Sequence, residues 1–418
     1  MVNTNLLMSQ LQKIFIILLL SFNYTIALSQ IDTTQVKQHI ETLSSDAMEG
    51  RLVGSKGEKK ASEYITNYFK ELSLIPLQDK KFEQPFSFNY QLNPHNPGEN
   101  LKKIEGINVV GKINNGRKHT FVIGAHYDHL GYNEYNLSTD SKGKGMIHNG
   151  ADDNASGVAA VLELANIYSN NDVVEPVNFI FACFSGEELG LMGSKSLAKI
   201  IKNEYPNVSF MINFDMIGRM DSTKTLNIGG VGTSPRLNDI VFKNKPSEFK
   251  LKIDSSGVGP SDHTSFYLQN IPVLFFFTGL HTDYHKPSDD ADKINYVQTN
   301  SIIEYAQSII DTLSINPVLK FNETKFKTKK SNATFKVTLG IFPDYTDYGD
   351  GLHIQEVLEN RTAQKYGLQK GDIITKIDEF IITEIYSYME CLSKLEDNKT
   401  YKLTYIRNYT TQTIKIKF

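Results

Sequence analysis

Strands that are buried on both faces read as near-continuous apolar runs, and this chain carries several. Phe179-Ile180-Phe181 and Leu274-Phe275-Phe276-Phe277 are two of them. They belong to a series of strand-like segments at 107–113, 120–125, 177–184, 208–214 and 273–277. Helix-like segments at 156–169, 190–203 and 297–313 alternate with these strands. Two earlier segments, 36–43 and 57–74, also have helical spacing, and in the second Ala61, Tyr64, Ile65, Tyr68, Phe69 and Leu72 share one face. Such alternation predicts an α/β, three-layer sandwich with helices on both sides of a mostly parallel central sheet.

The character of the sequence changes after residue 318. Residues 319–330 read as a polar linker, with Lys325, Lys327, Lys329 and Lys330 as its solvated charges. Residues 331–418 read as a small, mostly β module with strands at 334–337, 352–357, 372–377, 401–405 and 413–418 and a helix at 383–395. A net charge of -3 lacks the basic footprint of a nucleic-acid-binding protein. At the N-terminus Lys13 precedes an apolar run at 14–22, and Ala27-Leu28-Ser29 follows as a small-residue cleavage pattern. Residues 1–29 therefore read as a signal peptide of a secreted or periplasmic protein. The run is shorter than the roughly 20 residues of a spanning helix, and no membrane span is expected after cleavage. The catalytic unit is then 30–318. Cys183 and Cys391 fall in different expected domains, so no disulfide between them is expected, and neither has a partner at metal-ligand spacing.

Chemistry-bearing residues collect where the strands end. The segments are His126-Tyr-Asp-His129, Gly150-Ala-Asp-Asp-Asn-Ala-Ser-Gly157, Ser185-Gly-Glu-Glu188, Asn213-Phe-Asp-Met-Ile-Gly218 and Tyr284-His-Lys-Pro287. Ligands of open α/β sheets bind beyond the carboxyl ends of the strands, so these residues would meet on one rim. Each segment alone has an ordinary reading: a polar loop, a helix cap, or a packed aromatic–histidine pair. Together they supply two imidazoles and several carboxylates, a donor set suited to zinc. The adjacent Glu187 and Glu188 cannot point the same way from an extended segment. One can bind metal while the other takes a proton, and a pair of metals lowers the pKa of a shared water.

This order of motifs resembles the dizinc aminopeptidases of peptidase family M28, over roughly residues 30–315. Ser45-Asp-Ala-Met-Glu-Gly-Arg51 and Gly259-Pro-Ser-Asp-His-Thr-Ser265 also match that family's pattern. The resemblance implies two Zn²⁺ ions, with Co²⁺ or Mn²⁺ as alternatives. His126 and Asp215 would hold one ion and Glu188 and His285 the other, with Asp153 bridging. It implies Glu187 as general base, Asp128 as the carboxylate that orients His126, and a cis Asp153–Asn154 bond. Tyr284 is a candidate oxyanion donor, with packing as its alternative. Ser261-Asp262-His263 is expected near the substrate pocket. His129 and His148 are read as loop residues beside the site, and 130–149 as a mobile rim over it.

The C-terminal module resembles a PDZ domain. Leu339-Gly-Ile341 fits its carboxylate-binding loop and Gly367-Leu-Gln-Lys-Gly-Asp-Ile-Ile374 its turn and strand. That implies capture of a C-terminal peptide by strand addition; a structural β domain without a ligand is the alternative. The expected activity is removal of N-terminal residues from peptide substrates, and the direction of attack comes from the resemblance. The rivals are a glutaminyl-cyclase-like acyltransferase, which uses one zinc, and a non-catalytic peptide-binding protein.

Overall fold

The computed structural model describes residues 33–78, 80–91, 101–140, 142–324, 337–343, 350–357, 361–383 and 385–418. The signal-peptide reading of 1–29, the linker lysines and residues 334–336 lie outside the described residues.

The chain begins with helices α1 (Thr33–Leu43) and α2 (Lys56–Glu71). Strands β1 (Ile75–Pro76), β2 (Glu83–Gln91), β3 (Leu101–Ile113) and β4 (Thr120–His126) follow. Then come α3 (Gly157–Asn170), β5 (Asn178–Phe184), α4 (Met192–Glu204), β6 (Val208–Phe214) and β7 (Thr225–Gly229). The unit closes with α5 (Leu237–Asn244), β8 (Lys250–Ile253), α6 (His263–Tyr267), β9 (Val273–Phe277) and α7 (Tyr296–Ile315).

These strands form one sheet in the order β1-β3-β5-β4-β6-β9-β7-β8, with β2 paired to β3. The central β5-β4-β6-β9 block is parallel. Its flanks are not: β3 runs antiparallel to β5, and β7 antiparallel to β9. The sheet is thus mixed at its edges and parallel where the chemistry collects.

Side chains alternate across a strand with period two, and here that alternation separates two apolar layers. Phe121, Ile123 and Ala125 of β4, Phe179, Phe181 and Cys183 of β5, and Phe210, Ile212 and Phe214 of β6 join one buried cluster. Helices α1, α2, α3, α5 and α7 cover that face, through residues such as Val36, Ile65, Val158, Val241 and Ile309. Val122, Ile180, Ala182, Phe184 and Met211 point the other way and meet Leu197 and Ile201 of α4 and Phe266 of α6. Each fully buried Phe contributes about 1.5–3 kcal/mol relative to an exposed one. Helix α3 is buried along most of its length, Gly157 to Ala165 without a break, because other helices pack outside it.

The C-terminal unit is a second, antiparallel sheet. Its strands are β10 (Ile341–Pro343), β11 (Leu352–Val357), β12 (Ile373–Ile377), β13 (Phe380–Ile381), β14 (Thr400–Arg407) and β15 (Thr410–Lys417). The order is β10-β11-β12-β14-β15, with β13 on β12. Helices α8 (Thr362–Lys365) and α9 (Ile385–Lys394) complete it. Its core, including Leu339, Ile354, Ile374, Cys391 and Leu403, shares no residue with the other clusters. Cys183 and Cys391 are free thiols in separate cores. Among the described residues no helix is long and apolar enough to cross a membrane.

Candidate metal centre

The five residues expected as ligands converge. His126 is the last residue of β4, and Asp215 follows β6 directly. Glu187 and Glu188 lie in the turn between β5 and α4, and Asp153 in the irregular turn that leads into α3. His285 lies on the loop between β9 and α7 at φ 54, and the Asp153–Asn154 peptide bond is cis. Three parallel strands end side by side, so their following residues share one rim.

The spacing of donor atoms separates ligands from hydrogen-bond partners. Four ligands at 2.0–2.1 Å around a tetrahedral zinc lie about 3.3–3.4 Å from one another. His126 Nε2 is 3.4 Å from both Asp153 Oδ1 and Asp215 Oδ1. His285 Nε2 is 3.3 Å from Asp153 Oδ2 and 3.0 Å from Glu188 Oε2. Asp153 therefore presents one oxygen to each imidazole, as a bridging carboxylate requires. The residues present fit two zinc ions. His129 and Glu187 also approach: donor atoms of His129, Asp153 and Glu188 lie within 4.8 Å of one another, as do those of His126, Glu187 and Asp215. However, His129 Nδ1 sits 2.8 Å from Glu188 Oε1 and 3.8 Å from Asp153 Oδ2. The second distance is long for a shared ion, and at the first His129 steadies Glu188.

Hydrogen bonds hold these side chains from behind. Asp128, expected to orient His126 through its carboxylate, does something different. Its Oδ1 is 3.8 Å from His126 Nδ1, while its backbone oxygen is 3.2 Å from that nitrogen. The carboxylate instead accepts the Glu187 N–H at 3.1 Å and lies 3.4 Å from the Glu188 nitrogen, which fixes the turn bearing both glutamates. Asp289 accepts the N–H groups of Asp152 and Asp153 at 3.0 Å each. The Asn154 side chain accepts from Gly157 and Met216 and donates to the Phe214 oxygen. Asp152 accepts the Gly218 N–H at 2.6 Å and lies 3.1 Å from His281 Nε2.

The rim at 130–149 is braced. The Leu137 oxygen lies 3.1 Å from His285 Nδ1, Ser138 Oγ donates to the His285 oxygen at 3.0 Å, and Thr139 Oγ1 donates to the Tyr284 oxygen at 2.7 Å. His148 Nε2 is 2.7 Å from that same Ser138 hydroxyl, so it supports the rim. Tyr284 stacks on His285, with ring centroids 4.0 Å apart at 22°.

Electrostatics differ sharply between the adjacent glutamates. Burial pushes the Glu187 carboxyl well above the usual range; the imidazole of His126 opposes this, while Glu188, Asp262 and Asp215 add to it. Burial acts on Glu188 too, but His285 and His129 outweigh it and hold that carboxyl well below its usual range. One glutamate is thus suited to accept a proton and the other to stay ionised. Asp262 is buried, and burial raises its carboxyl to about 7. Its neighbour His263 stacks on Phe275 at 4.4 Å and lines a cavity with Phe275, Phe277, Ile253, Val258 and Pro260. Strand β9, which supplies Phe275 and Phe277 to that cavity, is tied to the site through Phe276, whose oxygen accepts the Asp215 N–H at 3.1 Å.

Residues 108–310 match peptidase family M28, and residues 318–418 match a PDZ domain. Residues 108–310 are thus an M28-like peptidase region. A probable zinc metalloprotease of Phaeosphaeria nodorum is 28% identical over 205 residues, which cover 46% of this chain and 40% of that protein. Leucine aminopeptidase 1 of Pyrenophora teres is 27% identical over 325 residues, covering 73% and 75%. The chain spans about half the length, or less, of the first curated relatives it matches. In three dimensions it is similar to the LapA aminopeptidase of Legionella pneumophila, with a TM-score of 0.54, 20% identity, and coverage of 69% and 72%. A glutaminyl cyclase of Bacteroides thetaiotaomicron shares the fold at TM-score 0.53 and 17% identity, with coverage of 67% and 98%. These structural likenesses speak for the fold.

Proposed function

We propose that this protein is a dizinc aminopeptidase. The observation that carries the reading is the spacing of donor atoms: imidazole and carboxylate atoms lie 3.0–3.4 Å apart around two positions, with Asp153 facing both. His126 and Asp215 would hold one ion, Glu188 and His285 the other, and Asp153 both. The metals would supply Lewis-acid polarisation of a scissile carbonyl and a lowered pKa for the attacking water.

Glu187 takes the proton of that water and passes it to the leaving amine, a role that its raised carboxyl supports. Asp128 holds the Glu187 amide so that the carboxylate faces the substrate. The phenol of Tyr284 stands next to His285 and is proposed to donate to the developing oxyanion. The cavity lined by Phe275, Phe277 and Val258 would take an apolar side chain of the substrate. N-terminal attack is supported by the relatives named as leucine aminopeptidases. The PDZ region would recruit substrates or partners by an extended C-terminus, and residues 1–29 would direct the protein to the periplasm or the exterior.

Glu187→Ala tests the reading. The variant should keep two zinc ions per chain and lose hydrolysis of aminoacyl p-nitroanilides by about 10²-fold or more. Full activity in this variant would remove Glu187 as the base. The shared fold of the glutaminyl cyclase keeps acyl transfer as the rival. One zinc per chain together with cyclisation of N-terminal glutamine would establish it.

A further inference from the structure

The segment Ser45–Arg51 contributes no donor to the two metal groups, yet Arg51 is 0% exposed beneath them. Its guanidinium donates to four backbone oxygens. Nε reaches the Tyr127 oxygen at 2.7 Å, Nη1 reaches those of Asn149 at 2.6 Å and of Leu43, and Nη2 reaches that of Gly150 at 2.9 Å. Tyr127 lies between His126 and Asp128, and Asn149 and Gly150 open the turn that carries Asp153. The backbone joins in: His129 N–H donates to the Arg51 oxygen and Gly131 N–H to the Gly50 oxygen. Gly50, at φ +65, has no room for a side chain, because a Cβ there would lie 2.6 Å from the His148 oxygen.

Helix α2, which follows this segment, grips a third ligand loop. Glu58 is buried, and its carboxylate accepts from the amides of Gly54 and Ile107 and from the hydroxyl of Ser185, two residues before Glu187. No carboxylate among the described residues pairs directly with Arg51. A buried charge of this kind is costly unless its donors are satisfied, and a planar guanidinium can span four carbonyls where a lysine ammonium, with three donors, cannot.

We propose that Arg51 is a positioning residue for the metal centre. Its guanidinium sets the backbone at 127 and 149–150 so that His126 and Asp153 keep ligand spacing. The proposal rests on the metal-centre reading above, and it separates cleanly from a role in charge balance. Arg51 is a cation near cation sites. Were charge its only contribution, removing it would strengthen zinc binding, and lysine would substitute without loss.

The test uses the full chain and its R51K and R51M variants, with circular dichroism to establish folding. Zinc affinity is measured by competition with a chelator. Hydrogen exchange is followed at 126–131 and 148–155 in metal-stripped protein. R51K should bind zinc about 10- to 100-fold more weakly, as for other residues that support ligands, and both segments should exchange faster. Unchanged zinc affinity and exchange in folded R51K, with only a lower melting temperature, would reduce Arg51 to general stability and overturn the proposal. Tighter zinc binding by R51M would do the same. If R51M does not fold, R51K decides alone. Failure of the wild-type chain to bind zinc would sink the metal-centre reading, while the exchange arm would still decide the role of Arg51.

Discussion

Asp289→Ala should cost this protein a large share of its stability without touching a ligand. The Asp289 carboxylate is fully buried and accepts two backbone amides, those of Asp152 and Asp153, at 3.0 Å. Alanine would leave both N–H groups buried with no acceptor. At about 1–3 kcal/mol for each stranded donor, the loss is about 2–6 kcal/mol. That compares with a total of about 5–15 kcal/mol for a typical domain. The assay is urea unfolding followed by circular dichroism in excess chelator, so that metal binding does not contribute. The midpoint should fall with the slope unchanged. Both amides reach the same oxygen, Oδ2, so Asp289→Asn, which keeps one acceptor oxygen, should lose less than alanine does. An alanine variant within about 0.5 kcal/mol of wild type would show that the amides find other partners, and the reasoning would fail.

Other outcomes follow from the same contacts. Burial depresses His39 from 6.5 to about 4, so between those values the unfolded chain binds a proton that the folded chain rejects. Its contribution of about 3 kcal/mol is present above pH 6.5 and lost as pH falls toward 4, and His39→Gln should flatten that slope of the unfolding midpoint against pH. An unaltered slope would discard His39 as the cause. Tyr284→Phe keeps the stack on His285 and should retain zinc while kcat drops about 10²-fold; undiminished kcat would leave packing as the phenol's role. Removing residues 331–418 deletes a core that shares no residue with the catalytic one, so hydrolysis of a small chromogenic substrate should persist. Loss of folding on truncation would assign the PDZ region a structural role.

The central strands were legible because a strand buried on both faces has to be apolar throughout, as Phe179–Phe184 is. The candidate ligands were legible for a related reason: charge placed at the end of such a strand has few ordinary uses. Strand β2 escaped notice because Pro85 stands just before the alternation of Phe86, Phe88 and Tyr90 with polar residues. Strands β7 and β8 are too short for any period to stand out. Arg51 and Asn154 lie in motifs the sequence shows, but what they and Asp289 do around the centre left no pattern. Arg51, Asn154 and Asp289 act chiefly on backbone groups brought near by the fold, and no spacing in the sequence encodes such contacts. Asp128 shows the limit from the other side. Its position was plain from the motif, but its use, on the Glu187 turn, depended on where β5 ends.

The five converging residues are spread over 126–285, at the ends of strands or on the segments after them, which become neighbours only when β5, β4, β6 and β9 have paired. Parallel pairing of this kind closes long loops and comes slowly. A chain caught halfway would own all the donors and yet no place for an ion, so its hydrolytic power would be withheld until assembly of the sheet was complete. For a peptidase that timing would be a safeguard: an immature copy would be harmless to its neighbours. It also makes metal uptake a reporter of maturation, since binding that requires the finished sheet adds its free energy to folding.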